Sequence, residues 1–154
     1  ALLGLDRELG YSRFSEFFRF PWVLKAERSA HYRAAELLDH MGLLAHWNDK
    51  VEDLPYGLQK RVDVVRAMAT NPSILLLDEP AAGLPTAEAT EMMEHVRAFA
   101  EFSGAGLLVI EHNVELVADV CERVIVMDAG GILADGTATE VMADERVIAA
   151  YLGT

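Results

Sequence analysis

Three short stretches of the chain carry groups that can do chemistry. Ser73-Ile74-Leu75-Leu76-Leu77-Asp78-Glu79-Pro80 runs four aliphatic residues into two adjacent carboxylates and closes on a proline. Leu107-Leu108-Val109-Ile110 runs likewise into Glu111-His112. A short apolar run bounded by turn signals reads as a strand buried on both faces. Its carboxyl end is where open α/β sheets bind ligands. If the two strands are parallel neighbours, Asp78-Glu79 and Glu111-His112 converge at one edge, and a single site explains both. The third stretch, Pro55-Tyr56-Gly57-Leu58-Gln59, opens a run of helical periodicity. The N–H groups of Gly57, Leu58 and Gln59 would point outward with the positive end of the helix dipole, which makes an anion site. Each stretch also has an ordinary reading: an acidic, solvated turn after a core strand, and a plain helix start.

The surrounding elements must position these groups. Pro80 cannot donate to a sheet ladder, so it stops the first strand. It also biases Glu79 away from the helical region, which holds the carboxylate at the strand tip. Leu58, Val62, Val65 and Ala69 repeat at helical spacing, so a helix runs from about Tyr56 to Ala69 and ends at Asn71-Pro72. Ala81-Ala82-Gly83-Leu84-Pro85 forms a tight loop. Thr86 then caps a helix to about Phe102, with Met92, Met93, Val96, Phe99 and Ala100 facing the core. Asn113 caps a helix over 114–121. Arg123 to Asp128 and Ile132 to Ala134 form a hairpin around Ala129-Gly130-Gly131. Thr137-Ala138-Thr139-Glu140 has capping-box spacing.

Nearer the start, residues 28–44 read as an amphipathic helix, with Ala34, Leu37, Leu38 and Met41 on one face and Gly42 as C-cap. Residues 11–25 interleave Tyr11, Phe14, Phe17, Phe18, Phe20 and Trp22 with Arg13, Arg19 and Lys25. That segment is either a short helix packed on its own subdomain or an apolar, basic-rimmed surface for a membrane partner or membrane interface. The succession of strand and helix predicts right-handed crossovers in a parallel sheet.

Composition bounds the function. The 154 residues suit one domain with a real core, and a hydrophobic share of 52% excludes intrinsic disorder. No apolar run approaches the ~20 residues that span a bilayer. The single cysteine, Cys121, forms no internal disulfide. None of the five histidines has a second histidine or a cysteine at metal-ligand spacing, so no zinc site is expected. A net charge of −12 makes the chain a poor general binder of nucleic acid. A phosphate ligand would have to be held locally, through helix ends, a metal ion or a partner.

Taken together and in order, these stretches resemble the ATP-binding subunit of an ABC transporter, most closely the branched-chain amino acid uptake subfamily. Leu54-Pro55-Tyr56-Gly57-Leu58-Gln59-Lys60-Arg61 is similar to the signature loop, and Leu75 to Pro80 to Walker B. Ala81-Ala82-Gly83-Leu84 is similar to the D-loop, and Ile110-Glu111-His112-Asn113 to the switch-histidine segment. Val147 to Gly153 resembles the subfamily's short tail.

The resemblance implies a partial P-loop NTPase nucleotide-binding domain of α/β class. It would have a parallel sheet core, a helical subdomain, a C-terminal β-hairpin and short helices. The implied parts are a helical signature subdomain over 1–70, the C-terminal half of the ATPase core over 71–136 and a helical tail over 137–154. It implies ATP and Mg²⁺ as cofactors. Asp78 would hold the metal through water, and Glu79 would orient and deprotonate the attacking water. His112 would donate a hydrogen bond to the γ-phosphate while neutral. Leu54, Pro55, Tyr56, Gly57, Leu58 and Gln59 would serve the ATP held by a second ATP-binding subunit. The other implied partners are an integral membrane permease and, indirectly, a solute-binding protein; nucleic acid is not among them. The implied place is peripheral, at the cytoplasmic face of the plasma membrane.

The sequence also departs from the family. Pro55 and Tyr56 replace Ser and Gly, Leu58 stands where Gln is usual, and Pro85 stands where Asn or Asp is usual. Phosphate cradling needs G-x-x-x-x-G-K-[ST], yet the only lysines are Lys25, Lys50 and Lys60, and none follows a glycine. With its opening at Ala1, the chain therefore reads as the later part of a nucleotide-binding domain that begins in mid-domain. The competing expectation is a non-catalytic module that docks a permease or partner ATPase without binding ATP itself.

Overall fold

A computed structural model of the chain describes the backbone of residues 21–152 and the side chains of residues 29–150. The side chains of the aromatic segment 11–25 lie outside these. The chain divides into two compact units, Ala1–Ile110 and Glu111–Thr154.

The first unit contains α1 (Pro21–His40), two short 3-10 turns, α2 (Tyr56–Met68), β1 (Ile74–Asp78), α3 (Thr86–Ser103) and β2 (Gly106–Ile110). β1 and β2 pair in parallel, in register from Ile74 opposite Gly106 to Asp78 opposite Ile110. Helix α3 is the crossover between them. It buries Ala89, Met92, Met93, Val96 and Ala100, while Phe99 is only half-buried. Val64, Val65 and Met68 of α2 and Leu75 and Leu77 of β1 are buried as well.

Helix α1 begins earlier than its periodicity suggests and ends at His40. Gly42 holds φ at 69°. The Leu43 N–H reaches Leu38 O and the Gly42 N–H reaches Asp39 O, which is the Schellman pattern that a C-terminal glycine permits. Ala30 and Ala34 pack on Ala69, so α1 and α2 approach closely through small side chains.

Two expectations are corrected. First, β1 and β2 are not buried on both faces. Leu75 and Leu77 are covered, whereas Ile74, Leu76, Leu108 and Ile110 are each more than half exposed. Among the described residues, helices of this unit cover the Leu75 and Leu77 side of the strand pair. Second, Thr86 is the first residue of α3 and not its cap. Pro85 occupies the N-cap position and offers no side-chain acceptor. The helix read from Tyr56 to Ala69 is present as α2; Arg61, Val64, Val65 and Met68 are buried along it, while Leu58 and Val62 are half-buried.

The second unit contains α4 (Val114–Val120), β3 (Val124–Asp128), β4 (Gly131–Gly136), α5 (Ala138–Met142), α6 (Glu145–Val147) and a terminal π-helical turn, Ile148–Leu152. β3 and β4 form the expected antiparallel hairpin, with a bulge between Val126 and Met127. Val124, Val126, Ala134, Val141 and Val147 form its core. Two caps read from sequence are present. The Asn113 side chain accepts from Leu116 N–H at 3.2 Å, and Thr137 with Glu140 closes a reciprocal capping box. No described helix is long and apolar enough to cross a membrane.

Candidate functional site

In the first unit, the carboxyl end of β1, the following turn and the N-termini of α2 and α3 meet. Asp78 ends β1 and is exposed, as is Glu79 beside it. The Glu79 N–H donates to Ile110 O at 2.9 Å, so the parallel ladder continues one residue beyond β1. Glu79 itself sits at φ 44°, in the left-handed region. The proline after it does exclude the right-handed helix, but the backbone turns left and does not extend. Ala82 N–H returns to Glu79 O at 3.2 Å and closes the turn.

The start of α2 packs on this turn. Tyr56 Oη donates to Ala82 O at 3.2 Å. Gly83 holds φ at 80°, and a Cβ there would lie 3.2 Å from Tyr56 Cε1. A Cβ on Gly57 would lie 2.5 Å from Glu88 Oε2. Glycine at 57 thus lets a carboxylate of α3 come close to the α2 backbone. Lys60 Nζ donates to Glu79 O at 3.4 Å, and lies 5.9 Å from the Tyr56 ring centroid.

The donors at this helix start differ from expectation by one residue. Gln59 N–H already bonds Pro55 O at 3.1 Å, and its side-chain Nε2 donates to Leu54 O at 2.7 Å. Tyr56, Gly57 and Leu58 are the residues whose N–H groups have no preceding carbonyl within the helix. Leu54 is buried beneath the loop, while Pro55 and Tyr56 are exposed.

In the second unit, His112 is exposed and its Nδ1 lies 3.7 Å from Glu111 Oε2; the Glu111 side chain is buried. The chain passes directly from Ile110, the register partner of Asp78, into this pair.

Sequence reasoning gave Lys60 and Arg61 no individual role within the signature-loop stretch and did not single out Glu88 or Glu91. Arg61 is buried on α2 and makes a two-pronged ion pair with Glu91 of α3, Nη2 to Oε2 at 2.8 Å and Nη1 to Oε1 at 3.3 Å. That guanidinium holds the Glu91 carboxyl below its ordinary range, chiefly through the hydrogen bonds. The signal for Arg61 was its place in the stripe 61, 64, 65, 68, at helical i, i+3, i+4, i+7 spacing.

The chain matches the family described as ABC transporter over residues 6–82. It also matches the family described as branched-chain amino acid ATP-binding cassette transporter over residues 132–154. It is 38% identical over 152 residues to the high-affinity branched-chain amino acid transport ATP-binding protein LivG of Salmonella typhimurium. It is 34% identical over the same length to BraF of Pseudomonas aeruginosa, which bears the same description. Each match covers 99% of this chain and 60% of the relative. The lipopolysaccharide export system ATP-binding protein LptB of Escherichia coli is 38% identical over 125 residues, 79% of this chain and 50% of that protein. Among solved structures, an ATP-binding cassette of an ABC transporter in its ADP conformation superposes with a TM-score of 0.73 at 28% identity. That superposition covers 99% of this chain and 62% of the other. The chain therefore spans about three-fifths of the length of the relatives it matches. With the ordered motifs, the parallel β1–α3–β2 unit and these likenesses in agreement, the chain belongs to the ABC transporter ATP-binding family.

Proposed function

We propose that this chain is the part of a transport ATPase that carries the hydrolytic carboxylate, the signature loop and the switch histidine. The observation that supports this best is the parallel register of β1 and β2. It sets the residue before Glu79 opposite the residue before Glu111-His112. On this reading Glu79 acts as general base toward the water that attacks the γ-phosphate. His112 donates to that phosphate, and Glu111 beside it restrains the ring. The first turn of α2, from Leu54 to Gln59, receives the γ-phosphate of ATP held by a second subunit, through backbone N–H groups and the helix dipole. Segments 1–70, 71–136 and 137–154 serve as signature subdomain, ATPase half and tail.

Asp78 suits Mg²⁺. Mg²⁺ keeps several waters and is usually held by one or two carboxylates together with substrate phosphates, and Asp78 is an exposed carboxylate at a strand end. When bound, the ion would neutralise charge on the β- and γ-oxygens.

The LivG and BraF likenesses favour an importer of branched-chain amino acids or related small solutes. Such a subunit works as a homo- or heterodimer beneath an integral membrane permease, at the cytoplasmic face of the membrane. A solute-binding protein acts only through that permease. The chain has no glycine-lysine phosphate loop, so we expect it to bind Mg-ATP poorly by itself. The competing reading, a docking module without nucleotide chemistry, draws on Leu58 and Pro85.

The test is ATP turnover by the full-length gene product. Replacing Glu79→Gln should abolish turnover while the protein still binds ATP. Turnover at the original rate in that variant would overturn the general-base assignment. No turnover in the wild type, when assembled with its permease, would favour the docking reading.

A further inference from the structure

The first turn of α2 can act on a phosphate only if its N–H groups are aimed correctly relative to the tip of β1. Two contacts tie it directly to the turn after β1: Tyr56 Oη to Ala82 O at 3.2 Å, and Lys60 Nζ to Glu79 O at 3.4 Å. Both are single and exposed, and surface contacts of this kind contribute little. The Arg61–Glu91 pair is different in kind. Arg61 is 8% exposed and two of its guanidinium nitrogens grip both oxygens of one carboxylate. Charge-assisted, two-pronged pairs fix orientation as well as distance. Nη1 also donates to Met41 O at 3.3 Å, at the carbonyl end of α1 where a cation is favoured. The clasp continues on α3. His95 Nε2 lies 3.8 Å from Glu91 Oε1, and the His95 carbonyl bonds His40 Nε2 of α1 at 2.7 Å. Three helices therefore meet at one buried cation, a single turn of α2 beyond Gly57.

We propose that Arg61 and Glu91 are a positioning pair. They set the rotation of α2 about its own axis, and so the aim of the Tyr56, Gly57 and Leu58 N–H groups at the phosphate. The proposal rests on the signature-loop reading above. Neither side chain touches nucleotide; both act through α2. A misplacement of about 1 Å in a catalytic arrangement can cost on the order of a hundredfold in rate. A softened clasp therefore registers in kcat long before the fold is lost.

The experiment is steady-state ATP turnover by the full-length gene product carrying Glu91→Gln or Arg61→Lys. Glu91 is more than half exposed, so the glutamine variant folds. It keeps one acceptor and loses the charge and the second prong. Arg61→Lys keeps the charge and loses the fork. Each variant should lower kcat roughly tenfold, with KM for Mg-ATP within about twofold, at temperatures well below a melting temperature that falls only modestly. Wild-type kcat in both variants would overturn the proposal. So would a loss that follows the melting temperature and is restored on cooling, since that marks a merely structural role. If Glu79→Gln turns over ATP like wild type, the functional reading itself fails and this inference falls with it. If only Glu79→Gln is impaired, the positioning role alone is refuted.

Discussion

Glu79 reaches Ile110 through its backbone: the Glu79 N–H donates to Ile110 O at 2.9 Å while φ stands at 44°. The bond holds the residue in the ladder, and Pro80 denies it the right-handed helix. The left-handed conformation that results costs a residue with a Cβ about 1–2 kcal/mol. Backbone strain of this sort is found where a side chain must be aimed. Glu79→Gly should relieve the strain, less the ~0.5–1 kcal/mol that glycine's extra unfolded freedom costs. The expected result in urea denaturation is a small gain, up to about 1 kcal/mol, together with loss of ATP turnover. Glu79→Gln keeps the strain and should leave stability unchanged. A glycine variant clearly less stable than wild type would contradict this account of the turn.

Much of this geometry was legible in the sequence because it is local. The Asn113 cap, the Thr137–Glu140 box, the Gly42 terminus and the hairpin at Ala129-Gly130-Gly131 each depend on a few adjacent residues whose chemistry admits few conformations. Readings that required knowing what lies across a space went astray. Ile74 and Leu76 look like core residues, but among the described residues the helices cover the strand on the Leu75 and Leu77 side. On α2, the aliphatic residues Leu58, Val62, Val65 and Ala69 suggested one face. The buried stripe instead passes through Arg61, because Glu91 on another helix neutralises it there. A buried charge is invisible until its partner is known. The Gln59 N–H reads as a free outward donor, yet it closes the first turn of the helix on Pro55 O.

Gly83 should tolerate no side chain. Its φ of 80° alone disfavours alanine, and the new Cβ would stand 3.2 Å from Tyr56 Cε1. Gly83→Ala should destabilise the protein by about 1–2 kcal/mol through the backbone term, with a further loss from the crowded ring. Tyr56→Ala in the same background should recover the crowding part and none of the backbone part. Thermal denaturation of the single and double variants separates the two. Full recovery in the double variant would mean that the ring, and not φ, decides the matter.

Gly57 poses a different case, since the atom in its way is the far end of a flexible side chain. A Cβ there meets Glu88 Oε2 at 2.5 Å, and Glu88 is exposed and free to swing into solvent. Gly57→Ala should therefore change stability by no more than about 1 kcal/mol, with alanine's better helix propensity offsetting the displaced carboxylate. Turnover should nevertheless fall, because displacing Glu88 disturbs the packing of α3 against the first turn of α2, whose N–H groups the proposed function aims at a phosphate. Unchanged kcat with unchanged stability would remove the first turn of α2 from the site.

The acid side of the stability profile tests the Arg61 clasp independently of nucleotide. Arg61 lowers the Glu91 carboxyl below its ordinary value of 4.5, first by hydrogen bonding and then by charge. A carboxylate depressed by folding contributes stability that is fully present above its unfolded pKa and is lost as pH falls through its folded one. The window therefore opens near pH 4.5 and extends downward. Glu91 is more than half exposed, so solvent screening keeps the amplitude modest. Asp144 adds a second contribution in the same direction. It caps α6 through Arg146 N–H at 2.8 Å, and Arg146 pulls its carboxyl down to about 2. Urea midpoints measured from neutral pH downward should fall more steeply for wild type than for Glu91→Gln below pH 4.5. The stability advantage of wild type over Asp144→Asn should be constant above about pH 3.8 and shrink from there downward. High salt should shrink the Glu91 difference, because the exposed carboxylate is reached by counterions. Parallel acid limbs for wild type and Glu91→Gln would show that the pair is not maintained in solution. The proposed aim of α2 would then lack its anchor.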